Sequence, residues 1–236
     1  MEYFTLSPSE ISAIKLSLLV GLVSIIGSLP FGVFFGWLLA RYNFFGKSIL
    51  DGFLHLPLVV PPVVTGYLLL LFFGRRSGIF GPWLYETFHI SFAFNWQGAA
   101  LASAVVSFPL MVRAIRLSIE SIDLGLEKAA KTLGANPLRV FFTITIPLAM
   151  PGIISGIVLA FARSLGEFGA TVTFVGNTEG QTQTLPLALS AILQIPDQDL
   201  QAARLAIISL ILAFASLITS EYFARRAKRY KSSGRI

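Results

Sequence analysis

Arg163 and Glu167 stand four residues apart in the otherwise apolar stretch FARSLGEFGATVTFV. On one helix they share a face and can neutralise each other as an ion pair. At hydrocarbon depth each charge costs about 2.5–3.5 kcal/mol, so something must offset it. A guanidinium has a second use, because its planar fork of donors suits a tetrahedral oxyanion. Two readings therefore stand side by side: a mutual structural pair, or a pair lining a pathway at a dimer axis with Arg163 toward an anion. Intramembrane charges seldom face lipid, which favours the pathway. Asp51 and His55 form another pair at the same spacing. No chain of titratable neighbours extends from them, so a locally satisfied pair is expected rather than a proton relay.

Other chemistry is harder to find. The sequence has no G-x-x-x-x-G-K-[ST] phosphate loop, so ATP hydrolysis by that route needs another chain. An intramembrane hydrolase would need a nucleophile with a base, and with two histidines, no H-E-x-x-H and no G-x-S-x-G the sequence argues against that class. The absence of cysteine excludes disulfides and thiolate metal sites. We assign no catalytic residue and no metal ligand.

The 236 residues are 55% hydrophobic and 13% charged, with a mean hydropathy of +0.76. A soluble domain carries about a quarter charged residues, so the solvent expected here is lipid. Apolar runs near the roughly 20 residues needed to cross a bilayer predict about five spans in one all-α bundle, a single transmembrane domain over 1–236. They run from Ile14 to Ala40, Ser48 to Phe73, Gln97 to Ile119, Leu148 to Val175 and Ala202 to Ala224. The opening MEYFTLSPSE has no basic residue, and the run after Lys15 is too long for a signal-peptide core, so the first span is expected to be retained.

In the second span, Pro57, Pro61 and Pro62 remove three backbone donors, so that helix must bend and expose carbonyls. A purely architectural kink is one reading; the other is a gate, since Thr65 and Gly66 just beyond it add a hydroxyl and a point of close approach.

Orientation follows from charge. The net +6 reads as a cytoplasmic bias rather than a nucleic-acid surface. A cytoplasmic tail carrying Arg225, Arg226, Lys228, Arg229, Lys231 and Arg235, with an odd number of spans, puts the N-terminus outside. Arg41 and Lys47 then lie inside, as do Arg113, Arg116, Lys128, Lys131 and Arg139, while Arg75 and Arg76 run against the bias. Residues 77–96 mix polar, Gly and Pro residues with Trp83, Tyr85 and Trp96, as expected of a short segment at the outer interface.

The loop between the third and fourth spans, about 120–147, reads SIDLGLEKAAKTLGANPLRVFFTITIP. Helix formers from Leu126 to Leu133 closed by Gly134 predict a short helix with a glycine stop. Ala129 and Ala130 offer a low surface for close approach, and Leu126, Leu133, Leu138 and Phe141 offer apolar anchors. Composition fits a docking helix and a helix resting on headgroups equally well.

Ala129, Ala130, Gly134, Ile144, Ile146 and Pro147 fall at the spacing of the EAA loop of ABC importer permeases: E-A-A, three residues, G, nine residues, I-x-L-P. Lys128 stands where the pattern has its acid, with Glu127 one residue earlier, and Ile146 replaces its Leu. The stretches HLPLVVPPVVTGYLLL, SFPLMVRAIR, EKAAKTLGANPLRVFFTITIPLAMPGII and FARSLGEFGATVTFVGN resemble the permeases of molybdate ABC importers. Sulfate, thiosulfate and tungstate permeases are similar in the same places.

The resemblance implies a type I ABC importer permease fold in a bacterial inner membrane, and a coupling loop comprising Glu127, Lys128, Ala129, Ala130, Gly134, Ile144 and Pro147. It further implies two ATPase chains that hold ATP and magnesium, no cofactor in this chain, a second permease copy as homodimer, and a periplasmic oxyanion-binding protein. Pro61, Pro62, Thr65, Arg163 and Glu167 become the candidates for pathway and gate. An autonomous channel or scaffold is the reading of another class; the EAA loop argues against it.

Overall fold

The computed structural model describes residues 6–233, with side chains through residue 219 and at Tyr222. The described residues form α-helices and one π-helical turn, with no strand among them. The first helix, α1 (Pro8–Arg41), is closed at its start by a capping box in which Ser7 accepts from the Glu10 amide and Glu10 returns the bond. That box starts α1 six residues before the expected span.

The second span is two helices, α2 (Lys47–Val59) and α3 (Pro62–Phe73), bent by 114°. Pro57 is absorbed inside α2, and the break falls at Val60 and Pro61, where consecutive prolines remove adjacent donors. A short α4 (Gly81–Phe88) follows, with the Arg75 guanidinium 3.7 Å from the Tyr85 ring centre. That contact gives one of the two charges opposing the orientation bias a local partner.

α5 (Trp96–Glu120) is the central post. A Cβ at Gly32 of α1 would meet Met111 Sδ at 2.7 Å, and one at Gly36 would meet Ile115 Cγ2 at 2.8 Å, so the two helices run parallel in close contact. After α6 (Leu124–Thr132) and α7 (Pro137–Val140), a π turn (Phe141–Thr145) leads into α8 (Ile146–Leu165). α8 runs antiparallel to α5, with Gly152 against Ser118 and Gly156 against Met111.

The fourth span differs from expectation. The continuous helical stretch runs Pro137–Leu165, starting earlier than Leu148, and the chain then breaks at Gly166 before α9 (Gly169–Val175). The apolar run hid a glycine that ends one helix and a carboxylate that starts the next. α10 (Leu185–Ile192) packs with α1 and the start of α11 (Asp199–Ser233), where Arg204 binds Glu10 at 2.7 Å.

Four stretches are long and apolar enough to cross a membrane: Pro8–Arg41, Trp96–Glu120, Pro137–Leu165 and Asp199–Thr219. The bent pair α2 and α3 makes a fifth when taken as one span. The basic side chains Arg225 to Lys231 and the whole of Arg235 lie outside the described side chains.

Candidate functional site: a surface loop and a junction of broken helices

α6 begins at Asp123, whose side chain accepts from the Gly125 amide, and ends at Leu133. Gly134 follows with φ +85°, the left-handed stop expected of glycine. Lys128 and Ala129 are exposed and Ala130 half-buried, while Leu133 and Leu138 are 88% and 69% exposed. This is an apolar, low-relief surface. Phe141 differs from expectation: it turns inward, its ring 5.1 Å from that of Trp37.

Glu127 is buried on the opposite face of α6. Its Oε1 accepts from Arg41 Nε at 3.0 Å and from Thr145 Oγ1 at 3.0 Å. Arg41 also reaches the Ile122 carbonyl at 3.3 Å. Glu127 therefore faces the bundle, not the loop surface, and fastens α6 to the end of α1 and to the π turn. Ile144 lies in that turn and Pro147 in the first turn of α8, so both belong to the root of the span. Sequence reasoning missed Arg41 and Thr145 as partners, because nothing in one sequence pairs residues 86 and 18 positions away from an acid.

Arg163 and Glu167 pair at 2.8 Å across the end of α8. The Glu167 side chain is 2% exposed and also accepts the Ala170 amide at 2.9 Å, capping α9. Arg163 is 31% exposed. The mutual pair is thus observed, and it leaves one face of the guanidinium open.

Both helix breaks meet at this place. A Cβ at Gly169 would lie 2.9 Å from Pro62 Cβ, and one at Gly66 would lie 2.9 Å from Ala170 Cα. Only glycine lets α3 and α9 approach this closely. Pro62 and buried Thr65 therefore share a junction with Glu167 and Arg163; Pro61 forms the adjacent bend. Following α8 from Gly156, which faces Met111, Arg163 comes level with about Ala104, in the first half of α5. Discontinuous helices meeting at mid-membrane leave backbone groups free to meet a solute.

Asp51 has more partners than expected: His55 Nδ1 at 3.2 Å and Arg116 Nη1 at 2.8 Å, with Arg116 also on Glu120 at 2.8 Å. A cavity of about 820 Å³ between α1, α2, α3 and α5 is lined mostly by Phe, Leu and Val, a surface with little to offer an anion.

Residues 29–229 match the family described as binding-protein-dependent transport system inner membrane component. The chain belongs to this family of transport permeases. The molybdenum transport system permease protein ModB of Escherichia coli K12 is 60% identical over 220 residues, 93% of this chain and 96% of that one. The Haemophilus influenzae ModB is 56% identical over 227 residues, 96% and 99% of the two chains. The E. coli sulfate transport system permease protein CysT is 34% identical over 223 residues, 93% and 80%. Among solved structures, a bacterial alginate ABC transporter in complex with its periplasmic protein matches with a TM-score of 0.73 at 18% identity, covering 93% of this permease and 80% of that chain. The permease is therefore a multi-pass inner-membrane transport subunit and not an enzyme.

Proposed function

We propose that this permease imports a tetrahedral oxyanion, molybdate, through an ABC transporter. The observation that carries the reading is its near full-length likeness to molybdenum permeases, well above its likeness to a sulfate permease. In this scheme two permease copies stand over two ATPase chains, which hold ATP and magnesium. A periplasmic binding protein delivers the anion.

The α6 loop is the docking surface, with Lys128, Ala129, Ala130 and Gly134 toward the ATPase. Exposed Leu133 and Leu138 support it, since apolar side chains on a protruding loop gain from a partner's groove. Glu127, held from behind by Arg41, carries the ATPase motion into α1. The junction of Pro61, Pro62, Thr65, Arg163 and Glu167 is the gate, opened when α3 and α9 separate. The N-terminus is external and the α6 loop cytoplasmic; reporter fusions placing both termini on one side would overturn that arrangement.

Reconstituted vesicles holding the permease, its ATPase and its binding protein test the substrate. Labelled molybdate should accumulate with ATP, faster than sulfate. Accumulation of none of molybdate, tungstate and sulfate sinks the oxyanion reading, and faster sulfate reassigns the anion.

A further inference from the structure

One face of α5 carries Ala99, Ala102, Val106, Arg113, Leu117 and Glu120 in register. Its first half is buried against Phe174 and Val175 of α9. Farther along α5, beyond the start of α9, the same face opens, and a cavity of about 370 Å³ lies there, lined by Asp51, Gly52, His55, Arg113, Arg116, Leu117 and Glu120. That is the share of roughly twelve liquid waters.

Most charges of this cavity are spent on one another. Arg116 is shared by Asp51 and Glu120, and His55 leans on Asp51. Arg113 is exposed and, among the described residues, has no hydrogen-bond or ion-pair partner. It lies seven residues before the end of α5, about 10 Å along the helix from Glu120. Its guanidinium carries five donors, none of them taken up by another described residue.

We propose that Arg113 is a stopping point for the transported anion, an inner relay site between the broken-helix junction and the cytoplasm. The proposal rests on the oxyanion-import reading and on a cytoplasmic α6 loop. Its ligand class is a tetrahedral dianion, held by one unspent cation in a water-filled vestibule. Binding at such a site is weak by design, because two carboxylates stand within the same cavity and repel the anion onward.

The native chain has no cysteine, so Leu117→Cys places a single thiol beside Arg113, at a position 57% exposed. In the assembled transporter it should react with a membrane-impermeant anionic methanethiosulfonate from the cytoplasmic side. Millimolar molybdate should slow that reaction with Arg113 or Arg113→Lys present, and not with Arg113→Gln. Uptake by Arg113→Gln should fall about tenfold, the weight of one charged hydrogen-bonding group, with Arg113→Lys recovering most of it. Reaction only with a lipid-soluble maleimide, or protection that follows anionic lipid content instead of molybdate, overturns the site. So does Arg113→Gln uptake within about twofold of wild type, a change too small for a lost charged contact. If Arg113→Gln does not assemble, protection of Leu117→Cys on its own decides. Wild-type vesicles that take up no oxyanion mark failure of the import reading instead.

Discussion

Arg41 at the end of α1 holds Glu127 of the α6 loop at 2.9 Å, with side chains 9% and 11% exposed. A contact so dry makes the loop and the first span move as one piece. Removing a single partner leaves a buried charge, which costs about 3–5 kcal/mol, whereas removing both is far milder. Arg41→Met should therefore lower the thermal midpoint in detergent and weaken ATPase stimulation by loaded binding protein. Arg41→Met with Glu127→Gln should recover stability but not stimulation. Equal stimulation in the double variant and wild type would show that the clamp transmits nothing.

Gly134 separates backbone demand from partner demand. A Cβ there meets nothing within 4 Å, yet φ is +85°, so cost in the isolated permease comes from the backbone alone. Asn enters the left-handed region readily and a β-branched residue does not, at about 1–2 kcal/mol. Gly134→Asn should keep ATPase co-purification and Gly134→Val should lose it. Gly134→Asp, almost isosteric with Asn, isolates the added charge. If Asp and Asn variants retain the ATPase alike, the loop end does not face a docking groove.

The bundle was legible because bilayer length and hydropathy dictate spans with little help from tertiary contacts. The Pro61–Pro62 bend was legible for the same reason, since a missing donor breaks a helix wherever it sits. The break at Gly166 was not: glycine is tolerated inside membrane helices, and only the Glu167 cap on Ala170 turns it into a boundary. Arg41 appeared in the sequence only as an inside charge. Its burial against Glu127 depends on α1 and α6 meeting, which one sequence does not encode in any local pattern. Phe141 was misread for a related reason, as its partner Trp37 lies on another span.

Close approach at the gate gives a third test. Gly66→Ala would push a methyl group to 2.9 Å from both Ala170 Cα and Thr173 Cβ. Overpacking of this kind costs about 1–3 kcal/mol and falls on the closed arrangement of α3 against α9. The variant should assemble with its ATPase but show raised ATP hydrolysis without binding protein, because the closed state is the one weakened. Unchanged basal hydrolysis and unchanged uptake would mean α3 and α9 do not separate during transport.

Arg163 and Glu167 allow the structural and transport roles to be pulled apart. Arg163→Met strands Glu167, whose side chain is 2% exposed, with only the Ala170 amide as partner. That single change should destabilise by about 3–5 kcal/mol, as for other broken buried pairs. Glu167→Gln is milder, because Gln still offers an oxygen to Ala170 and Arg163 is 31% exposed and can reach water. The double variant, Arg163→Met with Glu167→Gln, removes both charges and keeps the cap, so it should assemble almost as well as wild type. If Arg163 meets the anion at the junction, this well-assembled double variant transports poorly, since the open face of the guanidinium is gone. Thermal midpoints, ATPase co-purification and molybdate uptake measured on all three variants separate the cases. Full uptake by the double variant would remove Arg163 from the pathway and leave the pair as a strut between α8 and α9.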